Sequence, residues 1–220
     1  RVNGDNCEDG MMENIVELRH VSKAYKDNVL FQDISLEIPK GDICGIVGVN
    51  GSGKSVLLKM ICGLVLPDAG EIYVDGKKMD KGNFPQDIGV ILDCAGFLPS
   101  ETGLKNLSII AGIRKKAGRE ELEEVMRMVG LDPASKLKVG KYSLGMKQRL
   151  SIAQALMEKP AFLILDEPLN AIDEDTACEF RRLFLKLNEE KGVSILMTSH
   201  NREDIVELCR HVYRIAGHGL

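Results

Sequence analysis

The sequence predicts an α/β fold with a mainly parallel sheet, an antiparallel β edge near its beginning and an inserted helical subdomain. Short apolar runs alternate with amphipathic helical patterns in the last third of the 220-residue chain. A stretch with helical character, residues 96–159, separates these units from the strands that come before it. Alternating strands and helices build a mainly parallel sheet with helices on both faces. We therefore expect one domain over residues 13–220, with a core of residues 13–92 and 160–220.

The first part of the chain predicts mostly strands. Residues 15–18 read as one strand, and residues 28–38 as one or two more. Asp75 and Gly76 lie between alternating residues in the segment 71–79, and Asp-Gly in that setting is a strong short-range hairpin signal. These strands form the antiparallel edge. Residues 1–12 are polar, and we expect a disordered extension or one foreign to the natural chain.

The remaining elements follow from hydrophobic periodicity. Helices are predicted over residues 107–116, 119–129 and 143–158, with Gly130 as a C-cap and Pro160 as a stop. Apolar runs predict four buried strands, at residues 88–92, 162–165, 193–197 and 212–215. Helices over residues 173–190 and 202–209 lie between the last three of these strands.

Composition excludes several classes of protein. Lys and Arg number 29 against 33 Asp and Glu, so the surface lacks the basic balance that nucleic-acid binding usually requires, and we expect no nucleic-acid partner. No apolar run approaches the ~18 residues needed to span a bilayer. None of the six cysteines forms a C-x-x-C pair or a cluster with zinc spacing. Reduced thiols, typical of a cytosolic protein, are therefore expected.

The most informative motif is GVNGSGKS, residues 48–55, which fits the phosphate-binding P-loop pattern. An apolar strand precedes it and a helical stretch follows, as the motif requires. Backbone N–H groups of such a loop and the helix N-terminus face phosphate oxygens, Lys54 reaches the β- and γ-phosphates, and Ser55 ligates Mg²⁺. This predicts a P-loop NTPase core; the alternative is a glycine-rich turn with an accidental lysine. The candidate nucleotide-binding residues are Gly48, Asn50, Gly51, Ser52, Gly53, Lys54, Ser55 and Val56.

Two carboxylates, Asp166 and Glu167, end the apolar strand that begins near residue 162. Ligands of α/β proteins bind where parallel strands end. Asp166 can hold Mg²⁺ opposite Ser55, and Glu167 can polarise an attacking water, which are the two tasks that phosphoryl transfer to water sets. The alternative is an Asp-Glu turn that only leaves a core strand.

With these motifs in order, residues 13–220 resemble the nucleotide-binding subunit of an ATP-binding-cassette (ABC) transporter. YSLGMKQRL, residues 142–150, is similar to the family's signature segment, and the sequences NAID (170–173) and TSH (198–200) resemble its D-loop and switch histidine. The resemblance implies that ATP and Mg²⁺ bind between two domains paired head to tail. Ser143 and Gly145 would contact the γ-phosphate of the partner's ATP.

The resemblance also implies roles for His200 and Tyr25, and these two roles and that of Ser143 each have an ordinary alternative. His200 would hold the attacking water together with Glu167, or it is a surface histidine. Tyr25 would stack on adenine, or it is a common strand aromatic. Ser143 would contact phosphate in trans, or it is simply an N-cap.

The sequence departs from the family at two places. Leu144 and Met146 replace the usual Gly and Gln of the signature, whereas Ser143 and Gly145 remain. Asp93 stands where most members carry a glutamine that touches Mg²⁺. As a hard anionic ligand, Asp93 could bind Mg²⁺ itself, or it is only a loop residue. An acid at this position resembles the branch that exports bacitracin-type and lantibiotic peptide antibiotics.

The resemblance therefore implies an ATPase subunit that powers a membrane transporter, with export as the expected direction. Its partners would be a multi-span permease and a second nucleotide-binding domain, at the cytoplasmic face of the cell membrane. The helical subdomain and the Asp93 loop would dock the permease. Two alternatives stay open: an ABC-type ATPase that serves translation, DNA repair or iron–sulfur assembly, and a P-loop kinase of a small molecule.

Overall fold

A computed structural model describes residues 13–26, 28–92, 96–170, 172–217 and 219. The described strands are β1 (Asn14–Tyr25), β2 (Asn28–Pro39), β3 (Ile43–Gly48), β4 (Ala69–Val74), β5 (Lys77–Lys78), β6 (Ile88–Ile91), β7 (Phe162–Asp166), β8 (Ser194–Thr198) and β9 (His211–Ile215). The helices are α1 (Lys54–Ile61), α2 (Gly103–Arg114), α3 (Arg119–Met128), α4 (Leu144–Leu156), α5 (Glu174–Lys191) and α6 (Arg202–Leu208).

The strands form two sheets, which confirms the predicted fold class. A five-stranded sheet has the order β6-β7-β8-β3-β9 with every pair parallel. A four-stranded antiparallel sheet has the order β2-β1-β4-β5. The β4–β5 turn is the predicted Asp-Gly hairpin: Asp75 and Gly76 both have positive φ, 48° and 71°, as a type I′ turn requires.

The parallel sheet is buried on both faces, and alternation along β7 shows how. Phe162 and Ile164 pack into a core that includes α1 and the antiparallel sheet. Leu163 and Leu165 point the other way, into a core with residues of α2 to α5. Continuous apolar strands are expected where both faces of a parallel sheet are covered. Strand β3, which leads into the predicted P-loop, thus lies between two packed layers. This packing fixes the position of the residues at its carboxyl end.

The helical segment 96–159 contains α2, α3 and α4, and the largest error in its predicted boundaries is the start of α2. The second helix begins at Gly103 rather than near residue 107. Thr102 caps it, because its side chain accepts a hydrogen bond from the Lys105 N–H at 3.3 Å. The amide of Asn106 bonds both backbone groups of Leu98, at 2.7 and 3.1 Å, and so anchors the first turn. The weak apolar periodicity of residues 103–106 concealed this turn.

The contact between β6 and α4 depends on Gly89. A Cβ atom at this position would lie 2.0 Å from the carbonyl oxygen of Ala155 and 2.8 Å from Leu163. We expect Gly89→Ala to lower the free energy of unfolding by about 3 kcal/mol, because backbone must move to admit the methyl group. Denaturant unfolding measures the loss. Gly112→Ala in α2, which meets no atom within 4 Å, is the control and should be neutral or stabilising; equal effects would contradict the packing described.

The described cysteines are unpaired; two of them are buried and two are partly exposed. Cys44, Cys62, Cys178 and Cys209 are free thiols. Burial raises the pKa of Cys44, Cys62 and Cys209 to about 12, so these thiols stay protonated and pack as small hydrophobes.

Within the described ranges, no helix is both long enough and apolar enough to cross a lipid bilayer.

Candidate functional site

The glycine-rich loop joins β3 to α1, as the sequence predicts. Gly51 and Gly53 have φ values of 78° and 99°, a region that side chains rarely adopt. At Gly53 a Cβ atom would also lie 2.7 Å from the Phe31 ring. The loop therefore needs glycine at these positions to turn into the helix.

Lys54, the first residue of α1, is a buried cation. Its side chain is folded back over the loop, where Nζ donates to the carbonyl oxygens of Gly48 at 2.9 Å and Val49 at 3.2 Å. Only 6% of the residue is exposed, and no described carboxylate pairs with it. The Ser52 hydroxyl nearby is buried without a hydrogen-bond partner in the described part of the chain. Buried cations and unbonded donors are costly unless an anion meets them, so this loop fits a phosphate group.

A cavity of about 300 Å³ lies against this loop. It brings together the loop, Glu167 from the end of β7 and His200 from the loop after β8. Its lining residues are Leu30, Asn50, Gly51, Gly53, Lys54, Ser55, Val56, Glu167 and His200. Gly48 and Ser52 line a larger neighbouring groove of about 990 Å³. The predicted P-loop residues and Glu167 thus converge on one region of the surface, whereas Asp166, the other strand-end carboxylate, is not among the lining residues.

Glu167 and His200 form a close pair. Nε2 of His200 lies 2.6 Å from Oε1 of Glu167. Asn170 donates to the other carboxylate oxygen of Glu167 at 3.3 Å. The backbone of Glu167 has a φ of 48°, a left-handed conformation that is strained for a residue with a side chain and is found most often at functional sites. The carboxylate is therefore held toward the cavity by partners on both sides.

Thr198 is a site residue that the sequence reasoning missed. Its hydroxyl donates to Oδ1 of Asp166 at 2.6 Å and accepts the Glu167 N–H at 3.0 Å. Thr198 is fully buried and directly opposite Asp166 in the parallel β7–β8 ladder. A polar residue that directly follows the apolar run of residues 195–197 was the available signal. Its significance depends on β7 and β8 being neighbours, which the sequence alone does not establish.

Ser55 and Asp166 supply oxygen atoms of the kind that Mg²⁺ prefers. Thr198 occupies one carboxylate oxygen of Asp166, whereas the other accepts no hydrogen bond from the described residues. Those residues hold no cluster of three or more His, Cys, Asp or Glu side chains that could bind a metal alone. A metal here would therefore need further oxygen ligands from phosphate or water, as Mg²⁺ commonly takes. Asp93, the third predicted ligand, lies outside the described residues.

Ser143 and Gly145 do not line the cavity in the described structure. Ser143 is the N-cap of α4, and its hydroxyl accepts the Met146 N–H at 3.1 Å. Gly145 has open space beside it, because a Cβ atom added there would lie no closer than 3.8 Å to its nearest neighbour, Ile172. The exposed start of α4 is connected to the site indirectly, because Gln148 donates to the carbonyl of Pro168 at 2.6 Å.

Tyr25 ends β1 and is half exposed. The ammonium of Lys23 lies 5.2 Å from its ring centroid, and the ring is not among the residues that line the described cavity. Asp173, the last residue of the predicted D-loop, caps α5. The Thr176 N–H that bonds its carboxylate holds the pKa of Asp173 below its usual value. Asp173 therefore stays ionised at neutral pH.

Comparisons with known proteins agree with this arrangement. Residues 31–170 match a family model described as ABC transporter. The chain is 40% identical over 196 residues to the uncharacterized ABC transporter ATP-binding protein YybJ of Bacillus subtilis (strain 168), with 89% of each chain covered. It is 38% identical to the bacitracin transport ATP-binding protein BcrA of Bacillus licheniformis, over 91% of this chain and 66% of that protein.

A solved structure has the same fold. It is a dimeric post-hydrolysis state of the ATP-binding cassette MJ0796 bound to ADP and Pi, with a TM-score of 0.85 and 26% identity. The match covers 93% of this chain and 96% of that one. From the family match, the strand–loop–helix site and the shared fold, we conclude that this chain belongs to the ABC transporter family, as an ATP-binding ATPase domain.

Proposed function

We propose that this ABC transporter ATP-binding subunit hydrolyses ATP at sites shared by two such domains and thereby drives an exporter of peptide antibiotics. One observation carries the proposal. Lys54, which is buried and has no carboxylate partner among the described residues, faces the same cavity as the Glu167–His200 pair, whereas Ser143 and Gly145 lie outside it. Ser143 and Gly145 of one domain would therefore contact the phosphates that are bound in the cavity of a second domain.

The glycine-rich loop is the proposed nucleotide-binding element. We assign the phosphates to Lys54 and to the backbone N–H groups of residues 48–56, where the start of α1 adds its partial positive charge. The carbonyl oxygens that now hold Lys54 carry no net charge, so its ammonium can exchange them for stronger bonds to the anionic oxygens of phosphate. Tyr25 is proposed as the adenine platform, because an exposed ring at a strand end is free to stack on a base.

Ser55 and Asp166 would hold Mg²⁺, and Asp93 remains a predicted third ligand. When bound, the ion would neutralise charge on the phosphates. Glu167 is assigned the role of general base, which accepts a proton from the attacking water at its carboxylate. His200 is assigned the role of orienting that water and the γ-phosphate, because its ring already lies 2.6 Å from Glu167. Lys54 stabilises the charge that develops on the transferred phosphoryl group.

Pairing of two domains head to tail would complete each site. The N-terminus of α4 is exposed, with Leu144 largely accessible beside the Ser143 cap. The start of a 13-residue helix with a hydroxyl at its cap suits an anion presented by a partner. The similar cassette structure is dimeric, as its description states. We propose the same mode for this chain, with an identical or a different partner domain.

The transporter assignment needs a membrane partner. We propose a multi-span permease that docks on the helical segment, where Leu98, Ile109 and Ile113 expose apolar side chains. This places the subunit at the cytoplasmic face of the cell membrane, without nucleic acid as a partner. Export of a bacitracin-type peptide is proposed from the similarity to the bacitracin transport protein, of which this chain spans two thirds.

Affinity purification tests the transporter assignment. The bait is the Glu167→Gln variant with MgATP, taken from detergent-solubilised native membranes. We expect a multi-span membrane protein to co-purify, and the wild-type chain with ADP to recover less of it. Recovery of only ribosomes, nucleic acid or soluble proteins would contradict the proposal and favour an ABC-type ATPase that serves another machine.

Thr198 is expected to position both strand-end acids. In Thr198→Val the shape is retained, but Asp166 loses a donor and the Glu167 N–H loses its acceptor. We expect kcat to fall about 10- to 100-fold, with a stability loss of about 1–3 kcal/mol for the two unsatisfied groups. Thr198→Ser keeps the hydroxyl and should retain most of the turnover. Equal turnover in the valine and serine variants would contradict this role.

A further inference from the structure

His200 lies in the short connection between β8 and α6. Its only polar side-chain contact among the described residues is with Glu167. Nearly half of its side chain is exposed, so packing does not fix the ring. The position of the imidazole must therefore depend on how rigidly the backbone of this connection is held.

Ser199 and Asn201 flank His200 and are bonded to each other. The hydroxyl of Ser199 accepts the Asn201 N–H at 3.0 Å, which closes a tight turn around His200. The same hydroxyl donates to Oδ2 of Asp204 at 2.7 Å. Ser199 is nine-tenths buried, and Asp204 almost completely so. Because the buried carboxylate of Asp204 accepts this hydrogen bond, the hydroxyl of Ser199 is fixed in one orientation.

Asp204 is fixed in turn by Arg181 of α5. Nη1 of Arg181 donates to Oδ1 of Asp204 at 2.8 Å, and both side chains are about 95% or more buried. Arg181 also pairs with Glu174, the first residue of α5, and with Glu207 of α6, whose Oε2 lies 2.9 Å from Nε. The Nη1–Oδ1 bond is charge-assisted, and bonds of this kind are short and directional, so Asp204 has little freedom to move.

The network is not needed to start α6. Asn201 already caps that helix, because its side chain accepts the Glu203 N–H at 2.9 Å. The hydroxyl of Ser199 instead serves the turn that presents His200. We propose that Arg181, Asp204 and Ser199 form a positioning network that holds His200 against Glu167. This inference rests on the roles proposed above for these two residues.

Ser199→Ala is the decisive variant, because it removes a neutral hydroxyl and leaves the Arg181–Asp204 pair intact. We expect kcat to fall about tenfold, the rate equivalent of one hydrogen bond, with the KM and Kd for MgATP nearly unchanged. Asp204→Asn is less informative, since it leaves the buried Arg181 short of a charge partner and can unfold the chain. Glu203→Gln, an exposed acid beside Asp204, is the control and should leave turnover unchanged.

Two readouts separate positioning from general stability. In a His200→Ala background, Ser199→Ala should cause no further loss of turnover, because the residue it positions is gone. In ¹⁵N-histidine-labelled protein, Ser199→Ala should shift the imidazole signal of His200, assigned by its loss in His200→Ala, whereas Glu203→Gln should not. An unmoved His200 signal, or an equal loss of kcat in both backgrounds, would overturn the proposal. If His200→Ala itself has normal turnover, the assigned role of His200 fails, and the imidazole signal alone decides the positioning.

Discussion

Glu167→Gln is expected to abolish ATP turnover while MgATP binding is retained. Glutamine keeps the size of the side chain and its contact with Asn170, but it cannot accept a proton from water. General bases contribute about 10²- to 10⁴-fold in rate, so phosphate release should fall by at least 100-fold. The affinity for MgATP should stay within a few fold, because Lys54 and the loop backbone carry the binding.

The comparison requires two measurements on each protein. Phosphate release gives kcat, and equilibrium titration with MgATP gives Kd. Glu189→Gln, an exposed glutamate on α5, makes the same chemical change away from the cavity and should leave both values unaltered. If Glu167→Gln turned over normally, Glu167 would be only a turn residue at the end of β7, and another group would have to activate the water.

Lys54→Met is expected to remove nucleotide binding. Methionine preserves the apolar stem inside the loop and removes the ammonium that is assigned to the β- and γ-phosphates. Each charge-assisted hydrogen bond contributes about 1.5–3 kcal/mol, so loss of the bonds to both the β- and the γ-phosphate should raise Kd for MgATP about 100-fold or more. The folded state should not lose stability, because the variant no longer buries a cation that lacks a carboxylate partner in the described part of the chain.

Calorimetric titration with MgATP and a thermal melt without nucleotide together test this expectation. Lys77→Met, on the exposed strand β5, is the matched control and should bind normally. A Lys54→Met variant that binds MgATP with wild-type affinity would contradict the assignment of the cavity. Weak binding accompanied by a large drop in melting temperature would instead point to a structural role for Lys54.

The sequence was most informative where a local pattern determines local structure. Phosphate-loop glycines, the Asp-Gly hairpin and the Ser143 cap were all predictable, because φ preferences and capping act within a few residues. The start of α2 was not, because its anchoring depends on contacts between Asn106 and Leu98 that periodicity does not register.

Tertiary relations could not be predicted in the same way. Thr198 joins Asp166 to Glu167 only because β8 lies beside β7, and strand order is a property of the whole fold. The Arg181–Asp204 pair joins residues of two helices that are separated by β8. Both sets of contacts stand out in the structure because Thr198, Arg181 and Asp204 are buried. A buried polar group must find a partner, whereas an exposed one need not.

The most direct test of the shared ATP site mixes two inactive variants. Lys54→Met lacks a working phosphate loop, and Ser143→Arg blocks the start of α4; each protein alone should show almost no turnover. Half of the randomly formed pairs would contain one of each variant, and such a pair has one intact site of two. We therefore expect an equal mixture to restore roughly a quarter of wild-type ATP hydrolysis per domain. No recovery on mixing would contradict head-to-tail pairing between two copies of this chain.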